Sequence, residues 1–128
     1  MEGLSKKVLI VGGEIQLLHV VALKLREGGY EVFTSQDGLG ALETAQIERP
    51  DVLITDYQIP GLSGLELCQR LRHLPSTREI PVVMMMAGGI DLEETTLAEM
   101  GIEVCLKKPF SCREMLAAVD ELISVCAI

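Results

Sequence analysis

Two side chains that are far apart in the chain carry the chemistry that the sequence suggests most strongly. Asp56 directly follows the apolar run at 52–55 and precedes a loop that contains proline and glycine. A carboxylate in that place can act as a nucleophile toward a phosphoryl group and form an aspartyl phosphate, or it can cap a turn of the loop. Lys108, just before Pro109, can pair with that carboxylate or lie in solvent, as most lysines do. Spacing alone leaves these alternatives open.

Apolar runs and helical periodicity alternate along the chain, and this alternation decides where such side chains lie. The continuous apolar run at 7–11 is typical of a strand buried on both faces, and further short strands are predicted at 30–34, 52–55, 81–86 and 103–106. Helical periodicity covers 15–25, 41–47, 64–73, 91–100 and 111–125, with Ser111 as the N-cap of the last helix. Five such units predict right-handed crossovers and a parallel sheet with helices on both faces.

Functional sites in open sheets of this kind lie beyond the carboxyl ends of the strands. Gly12 and Gly13 follow the first strand there, ahead of a helix N-terminus, where backbone N–H groups can accept a phosphate. The two glycines do not fit the pattern G-x-G-x-x-G, and no GxxxxGK[ST] occurs. A plain tight turn is therefore the favoured interpretation, and a nucleotide-binding or flavin-binding module stays an alternative.

Length, charge and composition exclude several classes of protein. The 128 residues suit one domain, and the net charge of −8 repels phosphate backbones, so we expect no nucleic-acid binding by this chain alone. The four cysteines form no CxxC and only two histidines occur, which disfavours a zinc site or a disulfide framework. No Ser/His/Asp or Cys/His set converges at the strand ends, so we do not expect an enzyme. The start lacks the apolar run of a signal peptide, and no apolar run reaches the ~20 residues of a membrane span, so we expect a soluble, cytoplasmic protein.

A series of short motifs, in order, resembles the receiver domain of the two-component response regulators. The matching stretches are 8–11, 37–42, 50–56, 59–64, 80–83, 100–101 and 108–110. The resemblance implies a flavodoxin-like (βα)5 three-layer sandwich whose five-stranded parallel sheet has the order 2-1-3-4-5. It covers a receiver domain over residues 6–126 behind a flexible N-terminal segment, residues 1–5. By resemblance Asp56 is the phosphoacceptor, Lys108 contacts the phosphate, and the Lys108–Pro109 bond is cis.

The same resemblance implies a place in a bacterial phosphorelay. The expected partners are proteins, either a sensor kinase or an output protein. In receivers the surface of the fourth helix, fifth strand and fifth helix often contacts partners, so a homodimer through that surface is a further expectation.

The sequence departs from the receiver pattern at four positions that carry chemistry or switching. Gly12 and Gly13 stand where two acidic residues usually hold Mg²⁺. Met86 replaces the Ser or Thr at the end of the fourth strand, and Cys105 replaces the Tyr or Phe of the fifth strand. Met86 has no hydroxyl, and we expect its bulk to fill the space near Asp56. Glu14 comes next after the glycines, but we expect it to start the helix and to point elsewhere.

The loss of the acidic pair is the departure with the largest chemical consequence. Mg²⁺ prefers carboxylate oxygens in near-octahedral geometry, and phosphoryl transfer relies on that cation to offset negative charge. We therefore expect weak or absent Mg²⁺ binding and impaired phosphorylation. We also expect a Lys108–Asp56 pair that holds the domain permanently in one conformational state. This hypothesis is an atypical receiver that acts through protein contacts. The alternative is a functional phosphoacceptor that is phosphorylated slowly, with its metal bound through water.

Overall fold

The computed structural model describes residues 5–89 and 91–126, in which five strands alternate with five helices. The strands are β1 Lys7–Val11, β2 Glu31–Ser35, β3 Val52–Asp56, β4 Val82–Met86 and β5 Ile102–Lys107. The helices are α1 Ile15–Glu27, α2 Gly38–Glu48, α3 Gly64–Arg72, α4 Glu94–Met100 and α5 Cys112–Cys126. Of the N-terminal segment expected to be flexible, residues 1–4 lie outside the described residues. Within the described part of the chain, no helix combines the length and apolar character needed to cross a bilayer.

The five strands form one parallel sheet in the order β2-β1-β3-β4-β5, which confirms the predicted topology. Every residue of the central strands β3 and β4 is buried, as their uninterrupted apolar runs predict. One core cluster joins α1 and α5 to one face of the sheet through residues such as Leu25 and Val119. The other core cluster joins α2 and α3 to the opposite face through residues such as Ala45 and Leu67. The result is the expected three-layer sandwich.

Side-chain caps fix where several helices begin. Asp37 accepts a hydrogen bond from the Gly40 N–H at 2.6 Å, and this cap starts α2 three residues earlier than the periodicity suggested. Ser111 forms a reciprocal capping box with Glu114 at the start of α5, which confirms the predicted N-cap. The helix α4 is shorter than predicted and begins at Glu94. Its N-cap, Glu93, has an extended backbone and makes no side-chain capping bond, so the predicted helical residues 91–93 lie outside the helix.

Candidate functional site

Asp56 is the last residue of β3, and it sits at the carboxyl edge of the sheet where the sequence placed it. Its Cα pairs in register with Met85 of β4, and its side chain is only 7 % exposed. The backbone just beyond it is fixed by two hydrogen bonds: Tyr57 N–H donates to the Met85 carbonyl at 2.9 Å, and Gly64 N–H donates to the Tyr57 carbonyl at 2.7 Å. The carboxylate is therefore held at the mouth of the sheet by a rigid strand end.

Lys108 follows β5 and reaches across the sheet edge to Asp56. Its Nζ lies 2.7 Å from Asp56 Oδ1, and its backbone N–H donates to the Met86 carbonyl at 2.7 Å. The Lys108–Pro109 bond is cis, as the resemblance implied. Of the two alternatives for this lysine, the structure has the pairing and not the solvated side chain.

Glu14 points into the site, so the expectation that it points elsewhere is wrong. Its side chain turns toward the site and accepts a hydrogen bond from Lys108 Nζ at 2.9 Å. Glu14 is the N-cap of α1, yet its carboxylate makes no capping bond to the helix. The nearby ammonium attracts it more strongly, because hydrogen bonds between charged groups exceed those to neutral N–H groups. One feature of the sequence could have predicted this direction: Glu14 comes soon after the carboxyl end of β1, at the edge of the sheet where Lys108 was predicted to lie.

The three charged groups shift one another's protonation. Burial raises the pKa of Asp56; Lys108 opposes this rise, and the negative charge of Glu14 adds to it. Burial lowers the pKa of Lys108, but the hydrogen bonds to Asp56 and Glu14 outweigh it, so the pKa ends above its ordinary value. Lys108 in turn holds the pKa of Glu14 below its usual range. One ammonium therefore serves two carboxylates.

Gly12 and Gly13 shape the other side of the site and contribute no side chain. A Cβ on Gly12 would lie 2.8 Å from Asp56 Oδ2, so the carboxylate already occupies that room. A Cβ on Gly13 would meet Pro60 Cδ at 3.4 Å. Mg²⁺ requires several oxygen ligands, and within residues 5–89 and 91–126 no group of three or more His, Cys, Asp or Glu is placed to hold a metal ion. The donor set around Asp56 does not fit Mg²⁺, since only two carboxylates converge there and one oxygen of each is paired with Lys108.

Met86 does not fill the space near Asp56, so that expectation is wrong. A cavity of about 190 Å³ lies there, and Met85 and Ala87 border it together with Asp56 and Lys108. Met86 is 1 % exposed and packs in the core cluster on the α2 and α3 face. Successive side chains of a strand point to opposite faces, so Met85 and Met86 cannot both face the same cluster.

Cys105 packs against the same cluster as Met86. Its side chain is partly buried in β5, and burial raises the pKa of its thiol while Lys107 opposes the rise. The two positions where receivers carry a hydroxyl and an aromatic ring are here part of one apolar layer. Neither group offers a hydroxyl to the cavity beside Asp56.

Comparison with known proteins agrees with this architecture. The response regulator receiver domain family matches residues 8–120. The chain is 32 % identical over 120 residues to the alkaline phosphatase synthesis transcriptional regulatory protein PhoP of Bacillus subtilis, a match that covers 94 % of this chain and 49 % of that protein. The chemotaxis response regulator CheY4 of Vibrio cholerae has a similar structure, with a TM-score of 0.84 and 30 % identity over 93 % of this chain and 99 % of that one. The receiver domain of Francisella response regulator 1452 has a TM-score of 0.85 and 25 % identity, over 95 % of this chain and 99 % of that one.

These matches define the class: this is a receiver domain of a two-component signalling system. The chain belongs to the response regulator receiver domain family. It spans about half the length of the curated relative PhoP. Receiver domains interact with kinases and with output domains, and that general role applies to this class.

Proposed function

We propose that this receiver domain is atypical, with impaired Mg²⁺-dependent phosphorylation of Asp56, and that it signals through protein contacts. One observation carries the proposal: the β1 end supplies Gly12 and Gly13, and Lys108 already bridges the two carboxylates that remain. In this role Asp56 and Lys108 form a structural ion pair. The domain acts as a signalling module and not as an enzyme.

The chemistry of the cation supports this proposal. Mg²⁺ is dehydrated reluctantly and takes near-ideal octahedral geometry, so it binds tightly only where carboxylates converge. Phosphoryl transfer in turn needs positive charge on the phosphoryl oxygens. Two glycines in place of the acidic pair remove the carboxylate oxygens that would follow β1, and the ammonium competes for the oxygens of Asp56 and Glu14. We expect Mg²⁺ affinity to fall by orders of magnitude.

The partners that fit this proposal are proteins, a sensor kinase or an output protein. The charge of −8 argues against nucleic acid as a ligand of this chain. A homodimer through α4, β5 and α5 is part of the proposal, because α4 has no buried residue and leaves much of its surface open to a second molecule. A cytoplasmic location is likewise a proposal that follows from the class.

A functional phosphoacceptor is the second candidate, and one observation favours it. Asp56 and Lys108 are in contact, and Glu14 brings a second carboxylate to the same cavity. A metal bound through water, with these oxygens as its outer partners, would then permit slow phosphorylation. No feature of the site favours a flavin-binding or nucleotide-binding module.

Labelling by acetyl phosphate in the presence of Mg²⁺, read on a Phos-tag gel, separates the two candidates. We expect no Asp56-dependent labelling of the unmodified chain. The variant Gly12→Asp/Gly13→Asp restores the acidic pair, and we expect its labelling to exceed the background by about tenfold or more. The variant Asp56→Asn gives the background. Stoichiometric labelling of the unmodified chain that Asp56→Asn abolishes would contradict the proposal, as would an ordered beryllofluoride adduct on Asp56 in crystals soaked with Mg²⁺.

A further inference from the structure

We propose that Glu14 is a positioning residue that holds the ammonium of Lys108 over Asp56 as a built-in counter-ion. In this arrangement Lys108 supplies beside Asp56 the positive charge that an external divalent cation would otherwise supply. The inference rests on the proposed function, and it adds a reason for weak metal binding that is independent of the two glycines.

The geometry around Nζ is that of a shared cation. Asp56 Oδ1 lies 2.7 Å and Glu14 Oε1 2.9 Å from the same nitrogen, both within the range of charge-assisted hydrogen bonds. An ammonium has three donors; one donates to Glu14, and the contact with Asp56 is a close ion pair. The contacts join three segments of the chain: the start of α1, the end of β3 and the loop after β5.

The orientation of Glu14 is the feature that the fold alone does not require. An N-cap side chain usually accepts a hydrogen bond from its own helix. Asp37, Ser63 and Ser111 do so at the starts of α2, α3 and α5. Glu14 instead leaves the start of α1 without a side-chain cap and reaches Lys108. Glu93 before α4 also makes no side-chain capping bond, so it is the contact with Lys108, and not the missing cap, that assigns the Glu14 carboxylate to the site.

The side chains of the three charged groups differ in how far they are exposed to solvent. Asp56 is nearly enclosed at 7 % exposure, Lys108 is 29 % exposed, and Glu14 is 66 % exposed. The enclosed carboxylate needs a positive partner, because an unpaired buried charge is strongly destabilising. Without the ammonium, Asp56 and Glu14 would face each other as like charges and would attract a cation from solution.

The test is Mn²⁺-induced line broadening in the amide NMR spectrum of the whole chain. The variant Lys108→Met should bind Mn²⁺ about tenfold more tightly than the unmodified chain, with broadening centred on Gly12, Gly13 and Asp56. Lys107→Met is the matched control: it removes the same charge one residue away, from a lysine that pairs with Asp91 at 2.6 Å. The control should bind no better than the unmodified chain.

The double variant Lys108→Met/Glu14→Gln isolates the role of Glu14. It should lose most of the gain, because only Asp56 is then left to hold the ion. A gain that persists in full would overturn the role of Glu14, and equal broadening in Lys108→Met and Lys107→Met would overturn the role of the ammonium. Tight binding by the unmodified chain would instead contradict the proposed function, so the two failures are distinguishable.

A second measurement applies if Lys108→Met does not fold. The ammonium protons of a lysine held by two carboxylates exchange slowly enough to give a ¹H–¹⁵N signal. Glu14→Gln should abolish that signal for Lys108, while the amide resonances of the rest of the chain remain those of the folded protein. Persistence of the signal would overturn the assignment of Glu14 as the positioning residue.

Discussion

The carboxylate of Asp56 lies directly against the backbone of Gly12, with Oδ2 2.8 Å from the point that a Cβ of residue 12 would occupy. The other oxygen, Oδ1, is bonded to Lys108. A side chain at position 12 and the present orientation of Asp56 therefore exclude each other. The glycine after β1 does more than omit a carboxylate, because it also allows the Asp56 side chain to turn toward β1.

This contact predicts different costs for two neighbouring alanine substitutions. Gly12→Ala should destabilise the fold by about 1–2 kcal/mol, because the new methyl group displaces a carboxylate that Lys108 holds. Gly13→Ala meets only Pro60 at 3.4 Å and should stay within about 0.5 kcal/mol of the unmodified chain. Both changes restrict the unfolded chain similarly, so their difference reports the native contact. Urea unfolding measures it, and equal stabilities would contradict the prediction.

The removal of Lys108 should expose how much Asp56 depends on it. Lys108→Met leaves an almost enclosed carboxylate beside Glu14 and should lower the free energy of unfolding by about 2–3 kcal/mol at neutral pH. The pKa of Asp56 is already raised by burial, and it should rise further without the lysine. A raised carboxyl pKa means that the native state binds the proton more tightly than the unfolded state does. The stability of the variant should therefore recover as pH falls from neutral toward the ordinary pKa of an aspartate.

A matched variant checks the cause of that loss. Lys108→Met/Asp56→Asn replaces the unpaired carboxylate by a neutral amide and should recover at least half of the stability at neutral pH, with little further gain in acid. Denaturant unfolding at several pH values provides both readings. A pH-independent deficit in Lys108→Met would show that lost packing, and not the uncompensated charge, is responsible.

The alkaline side of the stability profile should also report Lys108. Its pKa lies above the ordinary value, since the bonds to Asp56 and Glu14 outweigh burial. The stabilisation is therefore present below the ordinary lysine pKa and is lost as pH rises through the higher native value. Burial and the hydrogen bond to Asp120 raise the pKa of Tyr30, so its titration lowers stability in the same direction.

The variant Tyr30→Phe removes the tyrosine titration. In that background, unfolding between neutral and strongly alkaline pH should show a decline that becomes shallower when Lys108 is replaced by methionine, and the rest of the decline comes from the thiols of Cys68 and Cys105, whose pKa values burial also raises. A decline of unchanged steepness in the double variant would assign the effect to other groups.

Most of the fold was predictable because it depends on averages over many residues. The uninterrupted apolar runs gave β3 and β4, and the alternation of units gave the parallel sheet. The site was harder, because it depends on single side-chain directions. The direction of Glu14 was predicted wrongly, because a position at a helix N-terminus does not determine whether the carboxylate points to the helix or to a lysine distant in sequence. The surroundings of Met86 were predicted wrongly, because a run of three methionines does not determine which of them faces Asp56.

The position of Met86 predicts that a hydroxyl there is costly in this chain. Met86→Thr removes apolar volume from the core cluster and buries a polar group, and it should destabilise the fold by about 2–4 kcal/mol. Met86→Leu keeps most of the volume and should cost less than about 1.5 kcal/mol. Thermal and urea unfolding compare the two. Equal small losses would place Met86 in a looser environment than its 1 % exposure indicates.

Gly64 predicts a link between α3 and the geometry of Asp56. A Cβ at this first residue of α3 would collide with the carbonyl oxygen of Asp56 and approach Met84 Sδ at 3.1 Å. The obstacle is backbone that two neighbouring hydrogen bonds hold, so it cannot rotate away. Gly64→Ala should destabilise the fold by about 2–4 kcal/mol and shift the amide resonances of Asp56 and Tyr57.

Gly88, beside which no atom lies within 4 Å of an added Cβ, is the matched site: Gly88→Ala should leave stability and those resonances unchanged. Similar losses in both variants would mean that the strand end tolerates the added methyl group, and that α3 does not fix the position of Asp56.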